Sequence, residues 1–364
     1  MSAGDAPTPH VTLATLNLYH WAEPSIGWYA PDARHTAEGW AVKQAWLRAI
    51  LAEMDADFVG FQEVVSVDGL RALCAEAGYP HFAVADQPRI AETEEGARFY
   101  TRPVQAAASR HPMETAPLAA DPAVAGALGL APDRDFRRPP LWARVDIPGV
   151  GPITAMVCHL KSPGVSEDDA PLPEAFRGPA DGTEDAMRAR LEGLSRAHAY
   201  AGIQRVFEAS ALHRAALGLI AEGHGPVAVL GDLNDTLGSP PLSALTPRRA
   251  GERDGGAPAA GGPSANAASD ARFLLADAAA LDTRRPFPGA EGRRRPTHRH
   301  GASGAAIDFI LISEALWPRT TPLGAQTVRE LLVNVADDHF IAGRPDESSD
   351  HAGVAARFIF GAGR

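Results

Sequence analysis

Cysteine is scarce in this chain. Two residues, Cys74 and Cys158, in 364 positions leave no disulfide framework and no zinc site built on thiolates. Each stands among apolar neighbours and reads as a small buried residue. Long apolar runs are missing as well, so no segment reads as a membrane-crossing helix. Basic residues are the minority: 34 Lys and Arg stand against 45 Asp and Glu, a formal net charge of -11. That balance speaks against a surface that grips nucleic acid or anionic lipid indiscriminately, but leaves room for a local basic site. Met1 to Pro9 offers no basic start and no apolar stretch, so no secretion signal is expected and the expected location is cytoplasmic.

What is present is a globular composition, 45% hydrophobic and 22% charged. Strand-like apolar runs recur at 10–17, 56–64, 103–109, 141–147, 153–160, 226–234, 305–313 and 353–360. Helical periodicity covers 37–54, 67–78 and a long stretch from about Asp185 to Glu222. The class is α/β. LWARVDI and PITAMVCHL flank PGVG, which reads as an antiparallel hairpin and argues against a purely parallel sheet. Residues 1–364 are read as a single domain. Segments near 162–184 and 247–270, rich in Pro, Gly, Ala and Asp, read as surface insertions in it.

Polar groups stand where the apolar strands end. Asn17 closes VTLATLN, Glu63 closes DFVGFQE, His159 interrupts VCHL, Asp232 and Asn234 follow VAVLG, Asp308 lies in AAIDFILI, and Asp350 and His351 precede GVAARF. One such residue is ordinarily a satisfied turn or core group. A whole set is different, because ionisable groups in apolar strands carry a desolvation cost unless they are paired or bind metal. Glu63, Asn17 and an Asp offer oxygen ligands without thiolates, which suits a hard cation such as Mg²⁺ or Mn²⁺. Zinc is disfavoured, since neither His159 nor His351 has an HExxH or paired-Cys context.

The motifs TLN at 15–17, GFQEV at 60–64, CHLKS at 158–162, GDLND at 231–235, IDFILIS at 307–313 and SDHAGV at 349–354 resemble, in order, those of the endonuclease/exonuclease/phosphatase (DNase I-like) superfamily. The resemblance covers nearly the whole chain. It implies a four-layer sandwich of two mixed β-sheets flanked by helices, with the site at one edge, and a metal-dependent phosphoesterase that uses Mg²⁺ or Mn²⁺. By the same resemblance Glu63 is the main metal ligand with Asn17 beside it, and Asp350 sits at the metal. Asp232 and Asn234 position or activate the attacking water, Asp308 orients His351, and His159 donates to a phosphate oxygen or leaving group. The general base is Asp232 or His351, a choice left open here.

Two arginines are candidates for contact with substrate phosphate. Arg110 lies in ASRHPM, which resembles an SRxP segment of the family, and Arg138 in FRRPPLWA, which resembles an RPPL segment of bacterial members. The Arg-rich run at 284–300 is expected to open near the active-site edge, as a basic patch or as a solvated loop. Superfamily membership leaves the substrate open. His159, where abasic-site endonucleases carry Asn, points away from DNA repair. A nuclease-like phosphodiesterase comes first, with nucleic acid among the candidate partners. A phosphatase or phosphodiesterase of a small molecule or lipid headgroup comes second. A catalytically dead scaffold is disfavoured, because every expected position is filled.

Overall fold

The computed structural model describes residues 8–164, 183–247, 271–284, 294–301, 303–318, 326–342 and 344–362. The strands are β1 (His10–Trp21), β2 (Ile26–Trp28), β3 (Phe58–Val64), β4 (His81–Val84), β5 (Arg89–Glu92), β6 (Arg98–Arg102), β7 (Val104–Ser109), β8 (Met113–Pro117), β9 (Leu141–Ile147), β10 (Gly151–His159), β11 (Val227–Asp232), β12 (Leu275–Asp277), β13 (His298–His300), β14 (Ser303–Ala305), β15 (Asp308–Ser313), β16 (Gln326–Ala336) and β17 (Gly353–Ala362). The α-helices are α1 (Ala37–Met54), α2 (Val67–Glu76), α3 (Pro122–Ala127), α4 (Glu184–Ala221) and α5 (Pro240–Leu245).

Two six-stranded sheets carry the fold, in the orders β16-β17-β1-β3-β7-β4 and β12-β15-β11-β10-β9-β8. Both are mixed. In the first, β1 and β3 run parallel while β17 and β7 run antiparallel beside them. In the second, β10 and β11 run parallel while β9 and β15 run antiparallel. Side chains alternate across each strand, so each sheet offers two apolar faces. The inner faces meet in a core that includes Leu13, Phe58, Val157, Leu230, Ile310 and Phe358, all buried. Each such side chain contributes roughly 1.5–3 kcal/mol by leaving water. Gly60 marks a close approach of the two sheets: a Cβ there would lie 2.6 Å from Leu230 Cδ1 and 2.8 Å from Val157.

The outer faces are covered by helices. On the first sheet, Leu47, Ile50 and Leu51 of α1 and Leu70 and Leu73 of α2 pack with Phe61 and Val59. On the second, Phe207 and Leu212 of α4 and Leu242 of α5 pack with Met156 and Phe309. Thr36 caps α1 by accepting from Gly39 N at 3.0 Å, and Asp55 closes it in the left-handed conformation. The four-layer sandwich is the architecture expected from the motifs, and the β9–β10 hairpin forms as read, with Ile147 opposite Gly151. The segments 165–182 and 248–270, which hold most of the two expected insertions, lie outside the described residues, as do 285–293 of the Arg-rich run. Among the described residues no helix is long and apolar enough to cross a membrane.

Candidate active site

Strand direction gathers the polar residues. Parallel β1 and β3 carry Asn17 and Glu63 toward their C-terminal ends, and parallel β10 and β11 finish on His159 and Asp232. The antiparallel partners begin at the same edge: Asp308, the first residue of β15, lies opposite Asp232, and His351 stands just before β17. One edge of the sandwich therefore receives side chains from both sheets.

Asp232 is the meeting point. Its Oδ2 accepts from Asn17 Nδ2 at 3.0 Å and lies 3.3 Å from His159 Nε2 and 3.8 Å from His351 Nε2. Its Oδ1 accepts the backbone N–H of Asn234 at 2.8 Å. Burial pushes the Asp232 carboxyl up, the cation at His351 pulls it down and Asp308 pushes it up again, to about 6. Asn234 adopts a left-handed φ of 53° and is tied to Leu160 O at 3.0 Å. His351 Nδ1 donates to Asp308 Oδ2 at 2.9 Å. Burial alone would lower its basicity, but Asp308, Asp232 and Asp350 outweigh it and raise the imidazole to about 10. His159 is held neutral, first by burial and then by the charges of Arg138, His351 and Lys161. Thr297 Oγ accepts from the backbone N–H groups of Ile307 and Asp308, fixing the start of β15.

Glu63 lies beside this group, with a left-handed φ of 61°. Its Oε2 accepts from His20 N at 3.1 Å and lies 3.4 Å from His20 Nδ1. Tyr19, His20 and Tyr29 also have positive φ, so strained backbone is concentrated around this carboxylate. Asp350 lies 3.4 Å from His298 Nε2 and 3.7 Å from His351 Nε2. Burial opposes its ionisation, but His298 and His351 outweigh burial and hold the carboxyl below its usual range. Its Oδ1 is buried without a hydrogen-bond partner. An orphaned anionic oxygen on a carboxylate that, like Glu63, acts electrostatically on the Tyr19 hydroxyl, with no thiolate, is the donor chemistry of a hard divalent cation, so the residues present fit such an ion. Among the described residues two clusters bring three ligand atoms together, His298–Asp350–His351 and Asp232–Asp308–His351, and Glu63 joins neither.

Arg138 is at the site, its guanidinium donating to the carbonyls of His159 and Leu160 at 3.3 and 2.8 Å. Arg110 is not. It follows β7, which runs antiparallel to β3 with Ser109 opposite Phe58, so it emerges at the end of β3 far from Glu63. There it pairs with Asp55 at 2.7 Å. Three of the four described arginines of the 284–300 run are engaged with acceptors: Arg284 with Asp282, Arg294 with Asp308 O and Asp277, Arg295 with Asp337, while Arg299 lies over the Phe340 ring at 5.3 Å.

Sequence reasoning missed three features. Lys43 of α1 is wholly buried and donates to Tyr19 O at 2.8 Å and to Ser348 O. A lysine in the apolar register of Trp40, Leu47 and Ile50 was the available signal. The aromatic group around His20, with Trp28 stacked on it at 4.9 Å and Tyr100 Oη against Nδ1, draws on a small sheet of order β2-β6-β5 that shows no motif. His298, in the β13–β14 hairpin, had only its basic neighbours to announce it.

The comparisons with known proteins agree with this architecture. ANGEL2, a 2',3'-cyclic phosphatase, superimposes with a TM-score of 0.52 at 14% identity, covering 96% of this chain and 95% of that one. Truncated Caenorhabditis elegans TDP2 gives 0.50 at 12% identity, covering 96% and 97%. The human Nocturnin catalytic domain with bound sulfate gives 0.50 at 14% identity, covering 97% and 96%. At such identities these show a shared fold. No curated protein matches the chain. The sequence itself matches the Endonuclease/Exonuclease/phosphatase family over residues 32–351, and the chain belongs to that family of metal-dependent phosphoester hydrolases.

Proposed function

We propose that the chain hydrolyses a phosphodiester bond with Mg²⁺ or Mn²⁺, and that its substrate is a nucleic acid. The observation that carries this reading is the position of Asp232, whose one carboxylate oxygen is approached by Asn17, His159 and His351 from both sheets. Glu63, Asn17 and Asp350 would hold the ion, which when bound supplies Lewis-acid stabilisation of phosphate charge. Asp232, aligned by Asn17 and Asn234, orients the attacking water and takes its proton. His351 is not suited to that task, because a histidine flanked by Asp308 and Asp232 keeps its own proton. As an imidazolium it donates to a phosphate oxygen, and neutral His159 donates a second hydrogen bond, so that fixed donors face the developing charge.

Because the site draws on both sheets, residues 1–364 are read as one domain, with 162–184 and 247–270 as insertions. A reducing compartment such as the cytoplasm suits Cys74 and Cys158, both buried with free thiols.

Nicking of supercoiled plasmid in Mg²⁺ tests the reading, with Asp232→Ala purified in parallel. Nicking that disappears in the variant supports it; no nicking by the parent protein refutes a plasmid endonuclease. A small-molecule phosphoester is the second reading. It is favoured by the acidic total and by the engagement of Arg284, Arg294 and Arg295 with acidic partners.

A further inference from the structure

The β2-β6-β5 sheet has features that its packing does not require. Arg89 of β5 stands directly opposite Arg102 of β6, and like charges in that position repel. Asp86 pairs with Arg102, yet the Arg102 Nε is buried without a partner, and Arg89 is exposed. Arg137 adds a third positive charge near Arg102. In a chain of net charge -11, a local cationic cluster on and beside one small sheet is the kind of feature that a bound anion would justify.

The sheet is continuous with the metal-side carboxylate. Glu63 touches His20, His20 Nδ1 meets Tyr100 Oη, and the Tyr29 ring lies 5.0 Å from that of Tyr100. Tyr29 is 55% exposed, the most exposed aromatic side chain on this edge, and its φ of 58° is unusual for a bulky residue. Its backbone N–H is tied to Tyr100 O at 3.0 Å and its ring packs edge-on against that of Tyr100, so the side chain is anchored rather than left loose. Arg102 follows Tyr100 by two residues on β6, across a register shift, so the Arg89–Arg102 pair comes next along the strand from the Tyr100 ring that Tyr29 packs against.

We infer that Tyr29 and the Arg89–Arg102 pair form a platform for single-stranded nucleic acid leading to the active site, Tyr29 stacking on an unpaired base and the arginines holding the backbone beyond it. The inference rests on the phosphodiesterase reading and supplies its substrate class. An exposed ring beside a cationic track is how single strands are held without sequence readout, since every base has a π-face. In a duplex those faces are already covered by neighbouring bases, so a double strand can use only the arginines.

The test measures binding of fluorescein-labelled oligothymidine to the full chain by anisotropy, in an Asp232→Asn background so that cleavage does not intervene. Hydrolysis of bis(p-nitrophenyl) phosphate by the parent protein is followed separately. Tyr29→Ala is expected to weaken oligothymidine binding about tenfold or more, whereas Tyr29→Phe keeps the affinity. Arg89→Ala is expected to reduce the slope of log affinity against log salt by about 0.7. A duplex of the same length should bind more weakly than the single strand, with no response to Tyr29→Ala. Equal binding of duplex, or oligothymidine affinity indifferent to Tyr29→Ala, overturns the platform. Hydrolysis of the small diester without oligothymidine binding also overturns it, while leaving the phosphodiesterase reading intact. Oligothymidine binding that depends on Tyr29, in a protein inert toward the small diester, upholds the platform and counts against the reaction.

Discussion

The Nδ1 of His351 donates to Asp308 Oδ2 at 2.9 Å, and the acceptor carboxylate is wholly buried at the start of β15. The contact fixes which ring nitrogen is turned toward Asp232 and the edge of the sandwich. It spans the two sheets, since Asp308 belongs to one and His351 leads into β17 of the other.

Asp308→Asn keeps the size of the acceptor but removes the charge that orients and charges the imidazole. The expected result is a fall in kcat of about 10³ to 10⁴ with the fold and metal affinity retained, by analogy with the loss of the orienting acid in other His–Asp pairs. Steady-state kinetics beside a metal titration checks it. A rate within tenfold of the parent would mean that His351 is oriented by other contacts.

Glu63→Gln removes an anionic oxygen while preserving the hydrogen bond accepted from His20 N. Mn²⁺ binding, read by calorimetry, should weaken by more than the roughly 10–100-fold seen when outer-shell partners of a metal are changed. Unaltered Mn²⁺ affinity would move the ion to the His298–Asp350–His351 cluster.

Gly231 precedes Asp232 with φ 148° and lies opposite Cys158 in the parallel β10–β11 pairing, where a Cβ would overlap the Cys158 carbonyl oxygen. Neither backbone can yield without disturbing the strand that positions Asp232. Gly231→Ala should therefore destabilise the fold by about 3 kcal/mol, measured by urea unfolding. A loss under about 0.5 kcal/mol, the scale of an ordinary surface change, would mean that the two strands separate more easily than their register implies.

The strand-end residues were legible because burying a polar group leaves a mark in an apolar run. Asn17, Glu63, His159, Asp232 and Asp308 interrupt or terminate such runs, and strand direction brings them to one edge. Direction is what sequence did not supply for Arg110: its motif resemblance was local, and only the antiparallel pairing of β7 with β3 reveals that it faces away. β16 was missed for another reason. Its bulge between Val328 and Glu330, with charged residues in the middle, breaks the alternation that marks a strand. Tyr29 and Arg89 were invisible because an exposed side chain on or just after a short strand has no pattern to violate.

Lys43 makes a different kind of link, between the chain that follows Asn17 and the chain that precedes Asp350. Its ammonium donates to Tyr19 O and Ser348 O, and removing it leaves both carbonyls short of a donor. Lys43→Met should cost about 2 kcal/mol near neutral pH. Burial lowers the Lys43 basicity to about 7 against the opposing pull of Glu63, Asp346 and Asp350. Between that value and the ordinary lysine value of 10.5, the unfolded chain holds the Lys43 proton more than the folded chain does. Stability owed to this group therefore rises with pH over that window. Methionine has no proton to release, so the difference in stability between parent and Lys43→Met should widen as pH increases from 7 toward 10.5. Urea midpoints at the two ends of the window measure it. A difference that stays constant would show that Lys43 keeps its proton throughout, held as a permanent cation by Glu63, Asp346 and Asp350.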